Sequence, residues 1–280
     1  MNPARNKYSI FKQVMDVIPP YLVASLARKH GIDKQSRDFT PWSHVASMVF
    51  AQVAHSLSLN DICDSLKSHS GALATIRDAV PPSRNGLSHA NKIRDAKMPE
   101  DLFWAVHADL THKCPGFGIG VGGLPRRFKK TVSVVDSTTI QLVANCMDWG
   151  RHRRKKAAAK CHMRLDLQTF LPRFAIVKAA DTHDSAEAKE LCADIKTGEI
   201  VIFDKAYIDF PHLWDLDCRG VFWVTRAKDN MAYDVAEERA ATGNITKDRL
   251  VRLKTKKSAA AYPEALRLVT ANDEVDGKIV

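Results

Sequence analysis

Apolar side chains recur at helical spacing from residue 8 to about residue 113, so this part of the chain is predicted to be helical. Pro41 suits the first position of a helix, and Ser58 is a candidate N-cap for the next one. Ser88 is predicted to cap a short basic helix, and Pro99 to open a longer one. Short helices joined by tight turns fit a helix-turn-helix-like DNA-binding module and any small helical bundle equally well.

From residue 131 onward the pattern changes to short β-branched runs, which are typical of strands. Strands are predicted at 131–136, 160–167, 173–179, 200–204 and 221–226, with helices at about 185–195 and 209–218. Three strands followed by alternating helices and strands predict an α/β fold whose sheet has mixed strand direction. The chain after Met231 is predicted to be a β-rich segment interrupted by polar loops.

A glycine-rich stretch from Cys114 to Gly123 separates these two parts. No Lys-Ser or Lys-Thr pair follows it and no strand precedes it, so it does not match a phosphate-binding loop. We expect it to be a linker.

Two of the predicted strands end in an aspartate. Asp136 follows the run Val132–Val135, and Asp204 follows the run Ile200–Phe203. A carboxylate at the end of a buried strand must keep water, a hydrogen-bond donor or a cation. Two carboxylates at equivalent positions predict one site in which neighbouring strands hold a divalent metal. Taken singly, each aspartate also fits a turn or a helix-capping acid.

The formal net charge of +10, with a pI near 9.3, favours a polyanionic partner such as nucleic acid. The basic residues form three clusters: Arg126, Arg127, Lys129 and Lys130; Arg151, His152, Arg153, Arg154, Lys155 and Lys156; Lys247, Arg249, Arg252, Lys254, Lys256 and Lys257. The first two flank the strand that carries Asp136, so we expect them to contact the DNA backbone. The third fits a solvated surface.

Cysteine usage and hydropathy indicate the compartment. The six cysteines are scattered without a C-x-x-C pair, which indicates reduced thiols of a cytosolic protein. No apolar run is long enough to span a bilayer, and charged residues interrupt the first apolar stretch. We therefore expect an intracellular protein without a membrane partner.

Four segments in order carry a family resemblance: Val134–Thr138, Lys160–Leu167, Phe203–Tyr207 and Val224–Lys228. Together they resemble the DDE transposases of bacterial insertion sequences, the IS-four group. The resemblance implies a ribonuclease-H-like catalytic domain that moves DNA by metal-dependent hydrolysis and strand transfer, with Mg²⁺ or Mn²⁺ as cofactor. It also implies double-stranded DNA partners, namely element ends and target, a homodimer on paired ends, and a cytoplasmic, nucleoid-associated location in bacteria.

The resemblance assigns roles to individual residues. Asp136 matches the first catalytic, metal-binding aspartate of the family and Asp204 the second. The family usually has Asp-Arg-Gly-Tyr at the second position, where this chain has Asp204-Lys205-Ala206-Tyr207; lysine keeps the charge but loses the bidentate fork of arginine. The predicted DNA contacts are Arg151, Arg153, Arg154, Lys155, Lys156, Lys205, Arg226 and Lys228.

The predicted domains are a helical DNA-binding domain at 1–113, a linker at 114–130, a catalytic core at 131–230 and a β-rich insertion at 231–280. The family places its third acid in a Tyr-x-x-Arg-x-x-x-Glu helix after that insertion, and no such pattern occurs before Val280. The chain is therefore expected to be a truncated transposase. Two alternatives remain open: a catalytically dead DNA-binding remnant that interferes with a full-length transposase, and a metal-dependent nuclease unrelated to transposition.

Other polar or aromatic residues near the motifs have two interpretations. The candidates for groups that support the metal ligands are His162, Asp166, His183 and Asp184. Asp166 fits an ion pair with a basic neighbour on the sheet better, and Asp184 fits a helix N-cap equally well. Trp223 is predicted to be a core aromatic rather than a residue that stacks on a base.

Overall fold

The computed structural model describes residues 7–36, 38–118, 129–141, 151–152, 156–179 and 184–272. The chain divides into two compact units, Met1–Pro115 and Gly116–Val280. Within the described ranges, no helix is long and apolar enough to cross a membrane.

The N-terminal unit is helical, as predicted. Its helices are α1 (Lys7–Asp16), α2 (Pro20–Lys29), α3 (Pro41–Val53), α4 (Leu59–Ser68), α5 (Ser70–Ala74), α6 (Arg84–Ile93) and α7 (Lys97–Lys113). The side chain of Ser58 accepts a hydrogen bond from the Asp61 amide and caps α4, as predicted. The core of this unit includes the fully buried side chains of Phe11 and Leu66, and the Phe11 ring meets the Phe50 ring edge-on at 5.6 Å.

Two helix starts in this unit differ from the prediction. Ser88 lies inside α6, whose N-cap is Ser83, because the Ser83 hydroxyl accepts the amide of Gly86 at 3.0 Å. Helix α7 begins at Lys97, before Pro99, and the amide of Lys97 donates to the Asp95 carboxylate at 2.9 Å. In both cases a side chain three or fewer residues upstream satisfies an amide that the helix leaves without a partner.

The C-terminal unit contains a six-stranded mixed sheet with helices, which confirms the predicted α/β class. Its strands are β1 (Val132–Gln141), β2 (Arg151–His152), β3 (Lys156–Asp166), β4 (Pro172–Ala179), β5 (Ile200–Phe203) and β6 (Phe222–Thr225). β3 pairs antiparallel with β1, β2 and β4, whereas β5 pairs parallel with β1 and β6. The strand order is β2-β3-β1-β5-β6, with β4 also paired to β3, which is consistent with the ribonuclease-H-like sheet that the resemblance implies.

One face of this sheet is covered by α8 (Asp184–Leu191) and α9 (Phe210–Cys218). Leu191, Val201, Leu213 and Leu216 are at most 1% exposed in the core between them. The opposite face is less covered, since Val224 of β6 is 54% exposed. One face of the sheet is therefore buried against the helices and the other is more exposed. Since side chains alternate along each strand, every second residue faces the helices.

The segment after Met231 forms a second sheet of β7 (Tyr233–Arg239), β8 (Ile245–Leu253) and β9 (Leu266–Ala271), with α10 (Lys256–Ala261) between the last two. All pairings are antiparallel. The guanidinium of Arg267 binds the buried carboxylate of Asp248 through Nε at 3.0 Å and Nη2 at 2.7 Å, and this pair lowers the pKa of Asp248. The predicted β-rich segment is thus present.

Candidate active site

Asp136 and Asp204 directly follow the last paired residues of two neighbouring parallel strands. The parallel register of β1 and β5 ends with Val135 opposite Phe203. Val135 and Phe203 are buried, whereas both aspartates are exposed. Because successive side chains of a strand alternate between faces, both aspartates belong to the less covered face. The two carboxylates therefore stand at the same level on adjacent strands, which are about 4.8 Å apart.

Asp136 does not stand at the end of its strand, contrary to the prediction. β1 continues to Gln141 because it remains paired with β3, in which Met163 lies opposite Asp136. What ends at Val135 is the pairing with β5, since β5 stops at Phe203. Asp136 is thus the first residue of β1 that has a neighbouring strand on one side only.

Both carboxylates are held by the same local hydrogen bond. The Oδ1 atom of Asp136 accepts the amide of Ser137 at 2.7 Å, and Oδ1 of Asp204 accepts the amide of Lys205 at 2.6 Å. In the part of the chain that the structure describes, neither Oδ2 atom has a hydrogen bond or an ion pair. One oxygen of each group is consequently available to a cation without breaking a bond of the fold.

Asp204 lines an open depression of about 470 Å³ that also contains two lysines. Its lining residues are Asp204, Lys205, Ala206, Lys228, Asp229 and Asn230. The ammonium of Lys205 lies 3.6 Å from the Asp229 carboxylate, and that of Lys228 donates to the carbonyl of Ile208 at 3.4 Å. The depression therefore places two carboxylates, Asp204 and Asp229, beside two cations, and Asp229 is the partner of Lys205.

A buried hydrogen bond joins the segments on which the two aspartates lie. Tyr207, in the 3₁₀ turn Lys205–Tyr207 that follows Asp204, brings its hydroxyl to 3.0 Å from Nδ1 of His162. His162 lies on β3 opposite Ser137, the residue after Asp136. Both side chains are at most 1% exposed. The sequence indicates His162 as a supporting group but not its partner, because nothing in the local pattern indicates this contact.

The structure shows what Asp166 and Trp223 contact. Asp166 pairs with Arg173 at 2.5 Å and accepts the amides of Gln168 and Thr169, which confirms the predicted ion pair. Trp223 packs against the core with its ring 6.1 Å from that of Tyr262, so it is a core aromatic as predicted. His183 lies outside the described residues, and α8 begins at Asp184.

The predicted DNA contacts are placed only in part. Lys205 borders the depression, Arg226 is exposed just after β6, and Lys228 borders the depression from the other side. Arg151 belongs to β2 and Lys156 begins β3, whereas Arg153, Arg154 and Lys155 lie outside the described residues. From the first cluster, Lys130 places its ammonium 3.7 Å from the centre of the Phe222 ring, and Arg126 and Arg127 also lie outside.

The third cluster is partly engaged within its own sheet. Lys254 forms an ion pair with Asp234 at 3.0 Å, and Arg252 donates to the Pro263 carbonyl at 3.2 Å. Across the described ranges, no group of three or more His, Cys, Asp or Glu side chains could hold a metal ion.

Comparison with known proteins finds two similarities, one to a family of unknown function and one to a transposase. Residues 6–76 match the family described as "Domain of unknown function (DUF4372)". A probable transposase for insertion sequence element IS5377 of Geobacillus stearothermophilus is 27% identical over 105 residues. That alignment spans 38% of this chain and 27% of the relative, so the chain matches about a quarter of the relative's length.

A solved structure also overlaps this chain, the synaptic complex of the piggyBac transposase with hairpin DNA. The overlap covers 98% of this chain and 61% of that one at 12% identity, with a TM-score of 0.34, which is too low to indicate a shared fold. The family described as "Transposase DDE domain" matches residues 127–274, more than half of the chain, and includes both Asp136 and Asp204. The chain therefore belongs to the DDE transposase family of bacterial insertion sequences.

Proposed function

We propose that Asp136 and Asp204 form the catalytic, metal-binding centre with which this transposase cuts DNA strands and transfers them. The observation that carries the proposal is their common position, one residue beyond the end of the parallel register of β1 and β5. Both carboxylates lie on the less covered face of the sheet, where DNA has access.

The donor chemistry of the two aspartates fits a hard divalent cation. Mg²⁺ prefers carboxylate oxygens, takes one or two of them from a protein, and keeps water or phosphate oxygens for its other positions. The Oδ2 atoms of Asp136 and Asp204 meet that requirement, so we assign Mg²⁺, or Mn²⁺ in its place, to them. When bound, such an ion lowers the pKa of an attacking water and neutralises charge on the phosphate and the leaving oxygen.

Two lysines beside Asp204 supply positive charge for a phosphodiester. Lys205 and Lys228 line the depression beside Asp204, where their ammonium groups supply point charges to phosphate oxygens. We propose that Arg226, exposed beside them, extends this contact along the backbone. The remaining proposed DNA contacts are Arg151, Arg153, Arg154, Lys155 and Lys156.

The partners of the chain follow from this activity. The substrate is double-stranded DNA, both the ends of an element and its target. Strand transfer requires two ends to be held together, so we propose a homodimer on paired ends, located in the nucleoid of the bacterial cytoplasm. The helical unit before the catalytic unit would hold the DNA during this reaction.

The proposal is tested by Mn²⁺ binding to the full chain, measured by electron paramagnetic resonance and by calorimetry. Asp136→Asn and Asp204→Asn each remove one charged ligand and should weaken Mn²⁺ binding at least about tenfold. Asp234→Asn is the matched control, because Asp234 is an exposed aspartate on β7 and should leave the affinity unchanged. Equal Mn²⁺ affinity in the wild type and both site variants would overturn the assignment.

Cleavage is measured separately on supercoiled plasmid DNA with Mg²⁺ or Mn²⁺. We expect nicking by the wild type and its loss in Asp136→Asn and Asp204→Asn, with Asp234→Asn active. Nicking that survives in both site variants would assign the chemistry to other residues.

A further inference from the structure

Helix α6 of the N-terminal unit presents a row of polar side chains that the fold does not use. Leu87 and Ala90 are 0% and 4% exposed and attach the helix to the core. At 100° per residue, Asn85 and Lys92 point directly away from this buried pair, and Ser88 and His89 lie about 50° to either side of that direction, with His89 also at the rim of a cavity. All four are exposed.

These four side chains have no structural role in the described part of the chain. None of them forms a side-chain hydrogen bond, an ion pair or a ring contact there, although each carries donors or acceptors. Their neighbours on the flanks of the helix do form such contacts. Arg84 binds Asp64 of α4 at 2.9 Å, and Asn91 meets His44 of α3 at 2.7 Å. The flanks therefore fix α6 on the unit while its outward face stays available.

The charge of this segment is one-sided. From Ala79 to Arg94 the sequence contains three Lys or Arg residues and no Asp or Glu. An exposed helix that has basic residues and no acidic ones over this length complements a polyanion better than it complements an uncharged protein surface.

The residue types of the outward face match the edges of base pairs. The major groove of duplex DNA is about 12 Å wide and admits an α-helix. Asparagine pairs with adenine through two hydrogen bonds, lysine with guanine, and serine with either. The ten residues of α6 extend about 15 Å, enough to follow several base pairs.

We infer that α6 is the helix with which this transposase reads the sequence of its DNA, by placing Asn85, Ser88, His89 and Lys92 in the major groove. This inference deepens the proposed function and rests on it, because it assigns the choice of DNA site to a helix outside the catalytic unit. The exposed Lys67 of α4 contacts the backbone and carries no sequence information.

The inference is tested by selection from a randomised duplex DNA library of about 20 base pairs with the full chain. The wild type should enrich a defined sequence. Asn85→Ala and Lys92→Ala should each lose about tenfold or more in affinity for that sequence and relax the preference at one or two base pairs. Lys67→Ala is the matched control; it should weaken binding to all sequences alike.

The four side chains are exposed, and helical circular dichroism checks that each variant folds. A wild type that enriches no duplex sequence, or variants that select the wild-type sequence with unchanged affinity, would overturn the inference. Binding of an RNA hairpin library as tight as that of the duplex DNA would also overturn the inference. Mn²⁺ binding at Asp136 and Asp204 is measured without DNA, so failure of the catalytic proposal is recognised separately.

Discussion

The Nδ1 atom of His162 lies 3.0 Å from the hydroxyl oxygen of Tyr207, and both side chains are fully buried. His162 is opposite the residue after Asp136, and Tyr207 is three residues beyond Asp204. One hydrogen bond thus ties the turn that carries Asp204 to the strand beside Asp136, on the covered face of the sheet.

The first prediction concerns this bond. Tyr207→Phe removes only the hydroxyl and leaves the ring in the core, so it should cost about 1–3 kcal/mol of local stability. The amides of residues 203–208 should exchange faster with deuterium, and Mn²⁺ affinity should fall a few-fold because Asp204 is held less firmly. Tyr233→Phe, in β7, is the control and should change neither quantity. Unchanged exchange and unchanged Mn²⁺ affinity in Tyr207→Phe would show that the bond does not position Asp204.

The second prediction concerns Arg164 of β3, which is 3% exposed. Its guanidinium donates to the Leu191 carbonyl at 2.7 Å and to the Asp194 carboxylate at 2.8 Å, and this contact lowers the pKa of Asp194. Arg164→Lys keeps the charge but cannot make both bonds at once, so it should cost about 2 kcal/mol. Hydrogen exchange of α8 should report the loss, whereas Arg252→Lys on the exposed surface should have no effect there. Equal exchange of α8 in both variants would contradict this role.

The sequence predicted the sheet because its central strands are short and β-branched, and such runs are recognised locally. The position of Asp136 within β1 was not predictable in that way. Whether a strand continues depends on how many neighbours it has, and β1 beyond Val135 pairs with β3 residues that are 17 to 27 positions further along the chain, from Asp136 with Met163 to Gln141 with Ala158. The two-aspartate arrangement was nevertheless predicted, since equivalent strand positions in parallel neighbours lie at the same level.

Strand β3 shows why the contacts of His162 and Arg164 were not predicted. Its polar residues His162, Arg164 and Asp166 alternate with apolar Met163 and Leu165, a pattern that ordinarily places the polar side chains in water. The structure has the reverse: the polar residues are at most 3% exposed, and Met163 and Leu165 are half-buried on the other face. Each of the polar residues forms a hydrogen bond with a group from another element, namely Tyr207, the Leu191 carbonyl and Arg173.

The third prediction concerns Gly118, at the end of the described part of the glycine-rich stretch. Its φ is +79°, and a Cβ atom would lie 2.5 Å from the Thr169 carbonyl oxygen. Gly118→Ala should therefore destabilise the turn after β3 by about 1–3 kcal/mol, both through strain and through this contact. Hydrogen exchange at residues 166–172 measures the effect. Gly243→Ala is the control for strain alone, because its φ is +64° and nothing lies within 4 Å of its Cβ position. An effect no larger than that of the control would show that the contact with Thr169 is relieved without cost.

The fourth prediction concerns His212 of α9, whose two ring nitrogens are buried without a hydrogen-bond partner in the described structure. Burial lowers the pKa of His212 below its ordinary value of 6.5, as do Lys189 and Arg219 to a smaller extent, while Asp215 and Asp209 act in the opposite direction. The unfolded chain then binds more protons than the folded one at pH values below about 6.5, so stability is complete above that pH and is lost as the pH falls through the lowered pKa.

His212→Leu removes the titrating group without breaking a hydrogen bond. At pH 7.5 its free energy of local unfolding, from hydrogen exchange of α9, should match that of the wild type to within about 1 kcal/mol. Between pH 6.5 and pH 5 the wild type should lose stability relative to the variant, because only the wild type must keep a neutral imidazole in the core. Comparing both proteins at each pH cancels the intrinsic pH dependence of exchange. If the free energies of local unfolding of the two proteins changed with pH in parallel, His212 would bind its proton equally in the folded and unfolded states. That result would contradict the prediction, because a desolvated imidazole without hydrogen bonds binds a proton less tightly than an exposed one.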